Sequence, residues 1–255
     1  MPRKLQQNVD LILVLVSRDL KLKYKRSVIG LTWSLLNPLA QLLVFRFVFG
    51  SLLKLSFEDF TLYLFTGILV WNWFQGSLSA ATGSVTDNGA LLSEPGFPTA
   101  VLPIAAIASN LVQFLMAFPI LMAGVLFAGQ GVSPALWAEP IVILAQFVMT
   151  LSIGYLLAAV HVRFRDTQHL LGIVLMLGFY VAPVFYQISA VPEAFRGWLQ
   201  INPMVYILQA HRDVLLYGNA PNWMTLGIIA GASVLLLTAS NRFFARAANT
   251  FVDEI

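Results

Sequence analysis

Six stretches of the chain, at about 29–53, 60–82, 100–126, 137–160, 169–186 and 223–243, are long, apolar and almost free of charge. A helix needs about 20 such residues to cross the hydrocarbon core of a bilayer. The apolar residues run continuously and do not alternate with polar ones, which points to helices and away from a β-barrel. Only 11% of the residues are charged, against about 25% in soluble domains, and the mean hydropathy is +0.79. The expected fold is an all-α integral membrane protein with six transmembrane helices, forming one domain over 1–255.

Between the last two stretches, 189–217 reads as something else. It holds two apolar pieces broken by proline, about Pro192 to Gln200 and Pro203 to Leu216. Each is too short to span, and pieces of about 10 to 14 residues suit re-entrant or interfacial helices. Asn202 before Pro203 is an N-cap followed by proline at the first helical position, so a helix restarts there. A re-entrant outer hairpin is expected, a lid over a pathway, because broken backbone at membrane depth survives only where protein buries it or water lines it. Its marked residues are Pro192, Trp198, Asn202, Pro203 and Arg212.

Ahead of the first span, residues 9–26 are amphipathic. Asp10, Ser17, Arg18, Lys21 and Lys25 fall on one side of a helix, and Val9, Ile12, Leu13, Val16 and Leu20 on the other. Such a helix lies in the membrane interface. Its basic end, Lys21 to Arg26, suits anionic headgroups, a lipid phosphate or plain solvent. Seven of the fifteen basic residues precede Val28. With Arg163, Arg165, Arg242 and Arg246, eleven fall on the side of the termini, and Lys54, Arg196 and Arg212 fall opposite. The excess of positive charge places both termini in the cytoplasm and the hairpin outside. The polar start, Met1 to Asn8, gives no sign of a cleavable signal.

Within the spans, Arg46 lies within snorkelling reach of the far interface, or pairs with a neighbouring helix. Trp71, Trp73 and Phe74 fall near mid-depth, where aromatics serve either ordinary packing or stacking on sugar rings. Catalytic chemistry is sparse. No phosphate-binding Gly-x-x-x-x-Gly-Lys-Ser/Thr loop occurs, so ATP is not bound in that way. The three histidines lack metal-ligand spacing, apart from His161 and His169 across a loop, for which an interfacial role outweighs metal binding. Glu58 and Asp59 read as a solvated turn. Cysteine is absent, which removes disulfide and thiolate chemistry. No chain of acids crosses the spans, which argues against proton coupling. The expectation is a non-enzyme with no metal and no cofactor of its own, whose energy comes from elsewhere.

Several landmarks occur in a telling order: Arg18-Asp19-Leu20-Lys21, Ser27 to Trp33, Asn37-Pro38, Val48-Phe49-Gly50, Phe97-Pro98, Leu102-Pro103, Arg163-Phe164-Arg165-Asp166, Pro183 to Tyr186, and Asn202-Pro203 followed by Arg212. Together they resemble the ABC-2 type permeases that export bacterial polysaccharides such as O-antigen, capsule and teichoic acid, the O-antigen and teichoic acid members most of all. The resemblance implies a half-transporter of the bacterial cytoplasmic membrane. Two copies form the channel, and two separate ATPase subunits carry the ATP and magnesium. The interface helix and the loop after the second span dock on the ATPases, which brings in Arg18, Lys21, Asp87, Asn88, Glu94 and Phe97. Glu94, Pro95 and Thr99 depart from the basic residues common around the family's Phe-Pro pair, so charge matching with the ATPase differs here. The implied cargo is a glycan on a polyprenyl diphosphate. Lys23, Lys25 and Arg26 are then the candidates for the lipid phosphate, and Tyr63, Trp71, Phe74, Phe179, Tyr180, Phe185 and Tyr186 for the sugar path. The other expected partners are membrane lipids, with no nucleic acid. The competing readings are an ABC-2 exporter of a small drug or lipid, and a membrane enzyme or scaffold.

Overall fold

The computed structural model describes residues 3–23, 25, 30–54, 57, 59–129, 131, 133–248 and 251–254. Among them the chain is helical throughout, with no strand. Helix α1 covers Arg3–Lys23, starting earlier and stopping sooner than the amphipathic pattern alone suggests. Its first turns are rich in strong helix formers (Arg3, Lys4, Leu5, Gln6, Gln7) whose propensity does not depend on an apolar stripe. The buried side is also rotated from the expected one. Leu15 and Val16 are buried, while Val9 and Leu13 are exposed.

Helix α2, Trp33–Phe45, continues as a π-helical stretch over Arg46–Leu52, closed by the bond from Leu53 N to Val48 O at 2.9 Å. Arg46 is exposed there, beside the exposed Leu43, Val44 and Phe47. Helix α3, Phe60–Gly83, is the axis of the molecule: seventeen of its 24 residues are buried. It packs against α2 and against four later helices: α5 (Val101–Phe127), α6 (Glu139–Arg163), α7 (Thr167–Val181) and α9 (Pro203–Leu215). A helix buried on all sides shows little amphipathicity. The short α4, Gly89–Leu92, sits in the loop before α5, and α8, Glu193–Leu199, precedes α9. Helix α10, Trp223–Ala247, runs along α6, and α11, Phe251–Glu254, closes the described chain.

Among the described residues four segments are long and apolar enough to cross a membrane: Trp33–Leu52, Val101–Phe127, Pro134–Arg163 and Trp223–Ala247. Helix α3 has the length, but Asn72, Gln75 and its tryptophans dilute its apolar character. Helix α7, with 15 residues, is shorter than a span.

The segment read as one proline-kinked span over 169–186 is instead a helix that stops at Val181. Ala182 closes the last turn onto Gly178 O at 2.8 Å and is itself extended, with ψ 144. That is the conformation a following proline imposes, and Pro183 has no N–H to continue the ladder. The chain from Pro183 to Tyr186 is therefore non-helical, which leaves its carbonyls open to other donors.

The guanidinium of Arg212 takes them. It is fully buried and donates to Pro183 O at 2.7 Å, Val184 O at 2.9 Å and Tyr63 O at 3.3 Å, with its carbon 3.4 Å from the centre of the Tyr63 ring. The close approach needs Gly67: a Cβ there would stand 2.5 Å from Arg212 Nη2 and 2.7 Å from Val184 O. Gly67→Ala is expected to cost about 1 to 3 kcal/mol by overpacking, read as a lower thermal midpoint of the solubilised chain; an unchanged midpoint would mean that α3 and the end of α7 are not in this contact.

The two expected hairpin arms differ in setting. Helix α9 starts at Pro203 with Asn202 Oδ1 accepting from Met204 N at 3.0 Å, and most of it is buried in the core. Helix α8, after Pro192, buries Leu199 alone and leaves Trp198 77% exposed.

Candidate functional site

Three helices bring uncharged amides to one place. Asn37 and Gln41 lie one turn apart on α2, Asn72 and Gln75 lie on α3, and Asn110 and Gln113 lie on α5. They line a cavity of about 660 Å³ together with Lys23 from the end of α1. A carboxamide offers both a donor and an acceptor, so this wall can meet hydroxyl groups of either sense. Some of the amides hold each other in place: Asn72 Nδ2 donates to Gln41 Oε1 at 3.0 Å, and Lys23 Nζ donates to Gln113 Oε1 at 2.7 Å. No carboxylate lines this cavity among the described residues. The rest of the wall is aromatic, with Trp33, Phe45, Trp73, Phe114, Phe179 and Tyr180.

Of the seven aromatics marked in the sequence, Phe179 and Tyr180 reach this cavity. Trp71 and Phe74 are buried, with Trp71 edge-on to Phe74 at 5.6 Å and to Phe179 at 6.1 Å. Tyr63 is buried under Arg212, and its hydroxyl donates to Tyr186 O at 2.8 Å. Phe185 stacks on Phe49 at 4.8 Å and on Phe45 at 6.0 Å, with Tyr186 edge-on to it at 5.3 Å. Trp33, Phe45 and Phe114 were not marked. The amides were missed as well, although their helical spacing (37 and 41, 72 and 75, 110 and 113) was a usable signal: polar residues in apolar spans at i, i+3 or i, i+4 share a face.

A second cavity, of about 850 Å³, opens between α1, α3, α4 and α5. Arg18 crosses its edge, donating to Asn88 Oδ1 at 2.8 Å while holding Asp19 at 2.9 Å. Asn88 in turn donates to Ser84 O at 2.9 Å. Helix α1 and the loop after α3 are thus tied together, and Asp87 lines the same cavity. Lys21 and Glu94 are exposed, and Phe97 packs partly against the core beneath α1. Lys25 is exposed in the turn after α1, and Arg26 lies outside the described residues.

Behind the aromatic wall sits a buried polar chain. His211 Nδ1 lies 2.7 Å from Glu139 Oε1, and Nε2 lies 2.9 Å from Gln146 Oε1. Gln146 spends its Nε2 on Val70 O at 3.1 Å, which fixes its oxygen toward the ring. Both ring nitrogens therefore face acceptors, the arrangement that an imidazolium satisfies. Phe114 separates this chain from the cavity, edge-on to His211 at 6.1 Å and stacked on Trp73 at 5.0 Å.

Comparison with known proteins agrees with the geometry. Residues 10–216 match the family model described as ABC-2 type transporter. An O-antigen export system permease protein RfbA of Myxococcus xanthus is 32% identical over 255 residues, covering 99% of this chain and 98% of the relative. A protein of the same name from Klebsiella pneumoniae is 30% identical over 210 residues, 82% of this chain and 81% of its own length. The polysialic acid transport protein KpsM of Escherichia coli is 20% identical over 224 residues, 86% of each. A family model matched over most of the length, and a relative alike from end to end, place this membrane-helical chain in the ABC-2 type transporter family.

Proposed function

We propose that the chain is the transmembrane subunit of an ATP-driven exporter that moves a lipid-linked polysaccharide of the O-antigen kind across the bacterial cytoplasmic membrane. The observation that carries this reading is the amide-and-aromatic cavity between α2, α3, α5 and α7, whose flat rings and two-way hydrogen-bonding groups match the two faces of a sugar. The names of the relatives over nearly the full length support the same cargo class.

On this reading α3 and α7 complete six spans, and α8 with α9 forms the outer re-entrant hairpin. Both termini are cytoplasmic, by the excess of basic residues on that side. Two copies enclose the route, and two ATPase subunits, which carry ATP and magnesium, dock on α1 and the tied loop through Arg18, Lys21, Asp87, Asn88, Glu94 and Phe97. The polyprenyl diphosphate of the cargo meets Lys23, Lys25 and Arg26 at the inner face. Phe179 and Tyr180 contact the sugars, with Trp71, Phe74, Tyr63, Phe185 and Tyr186 holding that wall. The chain itself is no enzyme.

The test is complementation of a strain that lacks the gene. The wild-type chain should restore surface polysaccharide. The pair Gln41→Leu with Asn72→Leu, and separately Phe179→Ala with Tyr180→Ala, should each cut export by about tenfold, the equivalent of roughly 1.4 kcal/mol. Chain level and ATPase co-purification should stay unchanged. Full export by both pairs would remove the cavity from the route.

A further inference from the structure

The two cavities meet. Lys23, Gly76, Ser79, Asn110 and Gln113 line both, so they form two lobes of one passage joined at a neck. Gly76 keeps that neck open, since a Cβ there would stand 2.8 Å from Asn110 Oδ1. The lobe on the α1 side carries ionic groups, Arg18, Asp19 and Asp87 among them. In the other lobe the only charged residue among the described lining is Lys23.

Lys23 differs from Arg18 in its company. Arg18 holds a carboxylate, Asp19. Lys23 Nζ donates to the neutral oxygen of Gln113 at 2.7 Å, and no carboxylate lies within ion-pair distance of it among the described residues. Lys23 as a whole is exposed, and partial burial at the neck lowers its pKa, which leaves the ammonium with less water and no counter-charge. An anion arriving at the neck restores what was lost, and a charge-assisted hydrogen bond is about twice as strong as a neutral one. Lys25, two residues on, is exposed as well but lines neither lobe.

We infer that the neck is an anion-binding point, where Lys23 receives a phosphate or carboxylate group of the cargo as it passes from the α1-side lobe into the amide-and-aromatic lobe. The inference rests on the reading of this passage as the cargo's route. It goes further in placing the contact with Lys23 at the boundary between two lobes. Two sources supply such a group, a diphosphate lipid headgroup or an acidic sugar in the glycan itself.

The experiment titrates the purified full chain in detergent, following the fluorescence of Trp33 and Trp73, which line the lobe beyond the neck. The probes are farnesyl diphosphate, farnesol and tri-galacturonate. In the wild type at least one anionic probe binds: farnesyl diphosphate if the lipid headgroup is the source, tri-galacturonate if the glycan is. Lys23→Gln should weaken that probe by about tenfold, as the loss of one charge-assisted hydrogen bond implies. Lys23→Arg should keep most of the binding, Arg246→Gln, at an exposed basic residue that lines neither lobe, should stay within about twofold, and farnesol should respond to none of them. The inference is overturned if Lys23→Gln elutes as a folded chain and binds like wild type, if Arg246→Gln weakens binding as much, or if no anionic probe binds. Complementation separates this from the broader reading: a wild-type gene that fails to restore polysaccharide defeats the export function, whereas restored export with anion binding indifferent to Lys23 defeats only the neck site.

Discussion

Arg212→Ala is expected to abolish export and to lower the thermal midpoint of the solubilised chain by roughly 10 °C, the shift that about 3 to 5 kcal/mol produces in a chain of this size. The guanidinium donates to three backbone oxygens, one on α3 and two in the break after α7, and the Tyr63 hydroxyl adds a long bond of 3.5 Å to Pro183 O. Two of them, Pro183 O and Val184 O, belong to the break after α7 that proline creates. Without Arg212, Val184 O loses its side-chain donor and Pro183 O keeps only the long bond from the Tyr63 hydroxyl, at about 1 to 3 kcal/mol each. The loss is also functional, because the same contacts set the direction in which Phe185 and Tyr186 leave α7 and join the ring cluster of α2. Arg212→Lys separates the two effects. It keeps the charge but gives up the planar fork that reaches several carbonyls at once, so it should fall between wild type and alanine in stability. A midpoint for Arg212→Ala within about 2 °C of wild type would show that the break after α7 is held by something else.

Much of the fold was legible because membrane helices are written in a coarse code. The apolar runs beginning near 29, 100, 137 and 223 correspond to the four helices long and apolar enough to cross a membrane, and Asn202-Pro203 marks the start of α9 by local chemistry. What sequence did not disclose depends on contacts between distant segments. Arg212 reads from sequence as an outer basic residue, since charge in an apolar chain is first assigned to an aqueous edge. Its carbonyl partners lie 28 and 29 residues away across a helix break, and no periodicity reports them. Leu13 looked as apolar as Leu15, yet α1 turns Leu15 inward, and only packing against α5 decides the rotation.

The candidate site was half legible for a related reason. Aromatics draw the eye in a membrane sequence, and Phe179 and Tyr180 do line the cavity. Trp71 and Phe74 are equally conspicuous but serve to pack the wall, as the proximity of Gly178 to Trp71, 3.0 Å from an added Cβ, makes plain. Amides draw less attention because they carry no charge. Yet Asn and Gln at helical spacing inside apolar runs cost enough to bury that they need partners, and here Asn72 donates to Gln41, Gln75 accepts from Trp71 Nε1, Gln113 accepts from Lys23 and Asn110 donates to Ala106 O.

His211→Ala should destabilise the chain by about 3 to 5 kcal/mol, the penalty for stranding a buried charge, whereas Glu139→Gln should cost about 1 kcal/mol. The asymmetry follows from the hydrogen bonds. Glu139 Oε1 has His211 as its partner at 2.7 Å, and Oε2 has no partner among the described residues. Removing the imidazole leaves a carboxylate in the core with nothing to balance it. Replacing the carboxylate by an amide is gentler, because the ring can then be neutral: Nε2–H still donates to Gln146, and Nδ1 accepts from the new amide. The sharper test is the double variant. Combining His211→Ala with Glu139→Gln removes the stranded charge, so the pair should be more stable than His211→Ala alone by about 2 kcal/mol. Unfolding of the solubilised chain measures all four corners of the cycle, and costs that simply add would mean that the two residues are not an ion pair. The same set reads out function. The ring of His211 bears on Phe114, and Phe114 on Trp73 in the cavity wall, so α9 and the proposed sugar path share one packed contact. If that contact couples them, the double variant should regain stability without regaining full export, and complete recovery of export would confine His211 to holding α9 against α6.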